Sequence, residues 1–233
     1  MYLAIRSHMI SNHILNESRC GQDKNSHSSN DSSGITPEAL IIHIIDDEES
    51  VRTSCNFLIS SLGLSTQVWA SALTFLQQVN IYRPAVILSD LVMPEMSGQA
   101  LQLHLSQQGS PIALIALTGN GEIADAVNML KQGAADYLEK PINSRRLQEA
   151  LASAQALSLK RAKLYDIKKL YAQLTDKEKQ VANELLEGNL NKNIANHLDI
   201  SVRTVEVHRS QVMKKMQSQH VSELIQKLVM LDA

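Results

Sequence analysis

The chain of 233 residues has 44% hydrophobic but only 3% aromatic residues and a formal net charge of -2. It can therefore fill cores with Leu, Ile, Val, Ala and Met, and no charge excess by itself announces nucleic acid or membrane. No window approaches about 18 consecutive apolar residues, which argues against a membrane span, and the amino terminus lacks the apolar stretch of a signal peptide. Cys20 in a polar tail and Cys55 on the stripe Val51, Cys55, Leu58, Leu62 offer no disulfide framework, so a reducing cytoplasm is the expected compartment.

Residues 1–38 form the first expected segment, a disordered extension whose Asn- and Ser-rich stretch at 16–36 cannot bury enough apolar surface to offset its ordering entropy. Apolar runs then appear at 41–45, 85–88, 112–117 and 136–138, separated by helical patterns, and read as buried strands of a parallel sheet. At or just past the carboxyl end of each run stands a chemically useful side chain: Asp46 and Asp47, Asp90, Thr118, Lys140. In a parallel sheet those ends open on one crevice, so three carboxylates, a hydroxyl and an ammonium should meet there.

Clustered carboxylates repel one another unless a cation joins them or one takes a proton. Mg2+, a hard ion that accepts one or two carboxylates together with phosphate oxygens, answers that need. Thr118 and Lys140 have no task in a bare metal site, but beside Mg2+ they suit the oxygens of a transferring phosphoryl group. Asp90 is the candidate nucleophile, since it stands alone at a strand end before Leu91-Val92-Met93-Pro94.

These residues carry a resemblance. IIDDEESVR, ILSDLVMPEMSG, IALTGNG and AADYLEKP, in this order and spacing, resemble the receiver domain of two-component response regulators. The resemblance implies a flavodoxin-like, doubly wound (βα)5 fold. It implies Mg2+ held by Asp46, Asp47 and Asp90, and a phosphoryl group received by Asp90 from a sensor histidine kinase. Thr118 and Tyr137 become a switch pair, and Lys140-Pro141 matches a step that is often cis. Asn143 or Ser144 offers the oxygen that caps the next helix. Val92 and Asn120 flank the acyl phosphate in the family and influence its hydrolysis, an apolar Val92 hindering the water.

Residues 147–170 run without Gly or Pro as a long amphipathic helix, with Lys160, Arg161, Lys163, Lys168 and Lys169 expected chiefly as a solvated face. Charge also divides the chain: 38–157 is acidic, 158–172 basic and 173–233 balanced, which argues for two modules and a connector. The last module opens with a capping box, Thr175-Asp176-Lys177-Glu178. Gly188 closes its first helix, a second holds Ile194, Ala195 and Leu198, and Ser201 caps a third over 202–216: a helix-turn-helix. Val205, Val212 and Met216 form the core stripe of that third helix. Arg203, Glu206, Val207, Ser210 and Lys214 lie opposite, a face that suits the major groove but also a solvated surface.

The stretch 174–216 resembles the LuxR-type domain of the FixJ/NarL class through Glu178, Gly188, Asn191-Lys192, Ile194-Ala195, Ser201, Thr204-Val205, His208 and Lys215. By that resemblance Glu206, Val207 and Ser210 meet bases, and Lys192, Thr204, Arg209 and Lys214 meet phosphates. His208 is expected to pack beside Val205 and Val212, and the final helix at 221–230 either dimerises or covers the core. The expected architecture is the extension 1–38, a receiver at 39–157, a helical linker at 158–172 and an all-α DNA-binding domain at 173–233. The chain reads as a regulator and not an enzyme, although it accepts a phosphoryl group and can lose it again. Its partners are a sensor kinase, double-stranded DNA, a second copy when phosphorylated, and RNA polymerase, with no membrane. The alternative is a constitutive DNA binder whose receiver is not controlled by phosphorylation. A haloacid dehalogenase-type phosphatase needs a second acid where Val92 stands.

Overall fold

The computed structural model describes residues 40–119 and 123–232. The expected extension 1–38 and the position of Asn120 lie outside the described residues. Five parallel strands, β1 (Ile42–Ile45), β2 (Thr66–Trp69), β3 (Val86–Asp90), β4 (Ala113–Thr118) and β5 (Asp136–Glu139), form one sheet in the order β2-β1-β3-β4-β5. Between them run α1 (Glu49–Ser61), α2 (Ala72–Gln78), α3 (Gly98–Gln107) and α4 (Ile123–Lys131), and α5 (Ser144–Tyr171) follows β5.

Period-two alternation sends the strands' side chains into two cores. Ile42, Ile44, Val86, Leu88, Ala113, Ile115, Leu117 and Leu138 pack under α1 and α5, against Cys55, Ile59, Leu147, Ala150, Leu151 and Ala154. Ile45, Ile87, Leu114 and Ala116 face Phe75, Leu101, Leu105 and Met129 on α2, α3 and α4. Burial on both faces is why β1, β3 and β4 are mainly apolar, with His43 and Ser89 buried among their Ile, Val and Leu residues. Strand β2 was not announced by any apolar run. It is the edge strand, its two central residues Gln67 and Val68 are exposed, and so it carries no apolar signature.

Gly98 opens α3, where Ser97 accepts a hydrogen bond from the Ala100 N–H. Its N–H donates to the Leu91 carbonyl at 3.1 Å, and a methyl group at Gly98 would overlap the Asp90 carbonyl oxygen. Backbone cannot yield as a flexible side chain does. Gly98→Ala should therefore cost about 2–3 kcal/mol in urea unfolding, the upper range of overpacking, and should displace the loop after Asp90. An unchanged midpoint would contradict this close approach.

Helix α5 continues well past the sheet. Asn143 caps it, its side-chain oxygen accepting from the N–H groups of Arg145 and Arg146. Further along, the Ser158 hydroxyl accepts from the Ala85 N–H at 3.0 Å. Arg161 donates to the carbonyls of Ile112 at 3.2 Å and Gly133 at 2.7 Å, and Tyr165 stacks on Tyr82 with ring centroids 5.6 Å apart. Arg161 thus departs from the solvated basic face expected of 160–169, because its guanidinium satisfies carbonyls beside the starts of β4 and β5.

The same helix then enters a third core. Ile167 is buried with Leu174, Val181, Leu185, Ile194, Val205, Val212, Met216, Leu224 and Leu228, from α6 (Asp176–Leu186), α7 (Asn191–Leu198), α8 (Val202–Lys215) and α9 (Val221–Asp232). Asp199, at φ +52°, turns the chain out of α7, and Ser201 caps α8 by accepting from the Thr204 N–H at 3.1 Å. Among the described residues no helix is long and apolar enough to cross a membrane.

Candidate functional site

The strand order reverses direction between β1 and β3, and a parallel sheet opens its crevice at such a point. Asp46 and Asp47 follow β1 and Asp90 ends β3, so one carboxylate oxygen from each falls within 4.8 Å of the others. Asp46 is fully buried, Asp90 partly buried and Asp47 exposed. All donors are hard oxygens, a set that fits a divalent cation.

Lys140, carried in by β5 and the cis Lys140-Pro141 peptide, places its ammonium 3.0 Å from Asp46 Oδ2 and 3.3 Å from Asp90 Oδ1. The backbone helps aim it, since the Lys140 N–H donates to the Thr118 carbonyl at 2.8 Å. Burial works against the ammonium, but the hydrogen bond and charge of Asp46, then those of Asp90, outweigh it and raise the Lys140 pKa. Asp90 is also raised. Burial is the main cause and the neighbouring Asp46 charge adds to it, while Lys140 and the Leu91 N–H, 3.0 Å from Oδ1, only partly compensate. A salt bridge alone would lower Asp90; the burial of the strand end prevails. Both donors meet Oδ1, and no hydrogen bond among the described residues engages Oδ2.

Thr118 is buried at the end of β4, and among the described residues its hydroxyl makes one hydrogen bond, a long one of 3.5 Å to the Leu138 carbonyl. Tyr137 is half-buried on β5. The structure thus gathers the carboxylates of Asp46, Asp47 and Asp90, sets Lys140 against Asp46 and Asp90, and places Thr118 and Tyr137 on β4 and β5. Val92 is exposed beside Asp90. Arg52 was missed by sequence reading: from α1 its Nη1 donates to the carbonyls of Asp46 at 2.7 Å and Asp47 at 2.9 Å.

The second site is the outer face of α8. Arg203, Glu206, Val207, Ser210 and Gln211 line a shallow, open depression there, and Lys192 and Lys214 are exposed near it in sequence. Val207 stands out as an exposed apolar side chain among polar ones. Thr204 is half-buried, its hydroxyl 2.8 Å from that of Ser201. Arg209 is half-buried too and donates to Asn191 Oδ1 at 3.0 Å, which ties α8 to the start of α7. Lys215 turns inward, 2.6 Å from Glu178 Oε2, so that charge does not belong to the outer face. Glu178 accepts from the Thr175 N–H at 2.7 Å while the Thr175 hydroxyl accepts from the Glu178 N–H, which completes the capping box.

Comparison with known proteins matches both parts of the chain to known families. Residues 42–152 match the response regulator receiver domain, and residues 172–228 match the luxR family of bacterial regulatory proteins. The tetrathionate response regulatory protein TtrR of Salmonella typhimurium is 41% identical over 80% of this chain and 90% of its own. The transcriptional regulatory protein FixJ of Azorhizobium caulinodans is 38% identical over 81% of this chain and 92% of its own. Among solved structures, the response regulator StyR covers 82% of this chain and 98% of its own with a TM-score of 0.58 at 29% identity. The chain therefore belongs to the two-component response regulators of the FixJ/NarL class, DNA-binding transcription regulators and not enzymes.

Proposed function

We propose that phosphorylation of Asp90 by a sensor histidine kinase switches this regulator to a dimer that binds specific DNA. The observation that carries the reading is the convergence of Asp46, Asp47, Asp90 and Lys140 at the crevice of a chain that also exposes the outer face of α8. In this reading the receiver spans 39–157, the linker 158–172 and the DNA-binding domain 173–233, after an extension at 1–38, and the protein works in the cytoplasm.

Asp46, Asp47 and Asp90 would hold Mg2+, which supplies positive charge for phosphoryl oxygens in the crevice. An Asp90 carboxylate oxygen attacks phosphorus, the phosphorus–nitrogen bond of the donor phosphohistidine breaks, and the imidazole leaves with the bond's electron pair. Lys140 already lies 3.3 Å from Asp90 and neutralises charge arriving on the phosphoryl group. The Thr118 hydroxyl, weakly held at 3.5 Å, costs little to redirect toward the new oxygens, and Tyr137 follows it inward. The face built from α4, β5 and α5 then pairs with a second copy. Two α8 helices meet half-sites about one helical turn apart, with Glu206, Val207 and Ser210 at bases and Lys192, Thr204, Arg209 and Lys214 at phosphates. RNA polymerase is the downstream partner.

The test is the solution mass and duplex-DNA affinity of the chain with Mg2+, with and without beryllofluoride, for wild type and Asp90→Ala. Wild type should dimerise and gain affinity on beryllofluoride, by about 5- to 150-fold for an ordinary coupling, and Asp90→Ala should do neither. Equal affinity in all four samples would instead establish a constitutive DNA binder.

A further inference from the structure

Asp46 and Asp47 are neighbours in sequence but are held by different means. Asp46 is fixed through its side chain, with Oδ1 accepting from the Glu48 N–H at 2.9 Å and Oδ2 beside Lys140 at 3.0 Å. Asp47 is exposed, and among the described residues no hydrogen bond holds its carboxylate. What holds Asp47 is its backbone. Arg52 Nη1 donates to the Asp46 carbonyl at 2.7 Å and the Asp47 carbonyl at 2.9 Å, which pins the peptide planes on both sides of the Asp47 Cα. A single Nη1 thus bridges two consecutive backbone carbonyls.

We infer that Arg52 is a positioning residue of the phosphoacceptor site: by clamping both carbonyls of the acidic pair it presets the Asp47 carboxylate toward Asp46 and Asp90 and thereby sets the affinity for a divalent cation. The inference rests on the reading of the crevice given above. It differs in sign from the simplest electrostatic account. A guanidinium acting only as a nearby positive charge repels a cation, and its removal tightens binding. A guanidinium acting as a clamp strengthens binding, and its removal lets the loop wander and weakens it, by about tenfold as for other residues that orient metal ligands.

Mg2+ titration of the full chain decides between them. Trp69 is the single tryptophan, and its carbonyl accepts from the Asp46 N–H at 3.3 Å, so its fluorescence reports on this loop; calorimetry gives a second readout. Arg52→Gln should bind Mg2+ about tenfold more weakly, and Arg52→Lys, which keeps a donor nitrogen on a shorter reach, should fall between. Labelling by acetyl phosphate should be slow for Arg52→Gln at low Mg2+ and return to the wild-type rate at saturating Mg2+. Tighter or unchanged Mg2+ binding in Arg52→Gln overturns the inference, as does a labelling defect that persists at saturation, which marks general damage to the fold. If wild type neither binds Mg2+ nor takes up phosphoryl groups, the reading of the crevice fails and takes this inference with it; if wild type does both and Arg52→Gln matches it, only the role of Arg52 fails.

Discussion

Lys140→Met should destabilise the α/β domain by about 3 kcal/mol in the absence of divalent ions, and Mg2+ should return more stability to the variant than it adds to wild type. Asp46 is fully buried, and Lys140 is its counter-charge at 3.0 Å. Removing one partner of a buried pair leaves the other charge without compensation, which costs more than the intact pair contributes. Lys140 remains a quarter exposed, which places the loss at the lower end of the usual range. With the ammonium gone the crevice holds three carboxylates and no cation, so Mg2+ binding gains the free energy that Lys140 had supplied. Because the folded pKa of Lys140 is raised, its contribution is complete at neutral pH and disappears only as pH climbs through that raised value, above the ordinary lysine range. Urea unfolding followed by Trp69 fluorescence, with and without Mg2+, measures both effects. Equal midpoints for variant and wild type without Mg2+ would show that Asp46 is compensated elsewhere.

In the helical domain the largest effect is expected at Glu178. Its carboxylate accepts from Thr175 at the start of α6 and pairs with Lys215 at the end of α8, so one buried group caps α6 and anchors α8 to it. Glu178→Ala should cost about 2–4 kcal/mol, the cap and the charged hydrogen bond together, and Glu178→Gln, which still caps, about half of that. The Lys215 hydrogen bond first, then that from Thr175, hold the Glu178 pKa below the ordinary value despite burial. The stability it confers is therefore complete above the unfolded glutamate pKa, about 4.3, and is lost as pH falls through the depressed folded value. Thermal melts of the helical domain between neutral pH and that acid window should steepen for wild type and flatten for Glu178→Gln. Parallel curves for the two proteins would remove Glu178 from the acid response.

Both effects depend on contacts that sequence reveals unequally. The apolar runs disclosed β1, β3 and β4 because strands covered on two faces are mainly apolar, and edge strand β5 showed through its short Tyr137-Leu138 stretch; Asp46, Asp47, Asp90, Thr118 and Lys140 stand at or after the ends of these runs. Strand β2 stayed hidden because an edge strand tolerates Thr66 and Gln67. The Thr175–Glu178 box was legible from local spacing alone, whereas the Glu178–Lys215 pair joins residues on two helices that only tertiary packing brings together. Arg161 looked like one more solvated cation because no local pattern distinguishes a guanidinium that reaches buried carbonyls from one in water. Arg52 was nearer to being readable: a cation in the second turn of a helix lies within reach of the loop that precedes it, and that loop is where the acidic pair stands.

The passage of α5 from one core to the other has a mechanical consequence. Tyr165 still touches the α/β domain through Tyr82, and Ile167, two residues on, is already inside the helical core. A flexible tether would fix only the distance between two bodies, but an unbroken helix works as a shaft and transmits angle. Each residue turns it by about 100° and advances it about 1.5 Å, so a single insertion near Asp166 would swing α8 through more than a quarter circle without touching any residue of either domain. The angle between the two domains is therefore set by how many residues this stretch holds and not by which ones face outward.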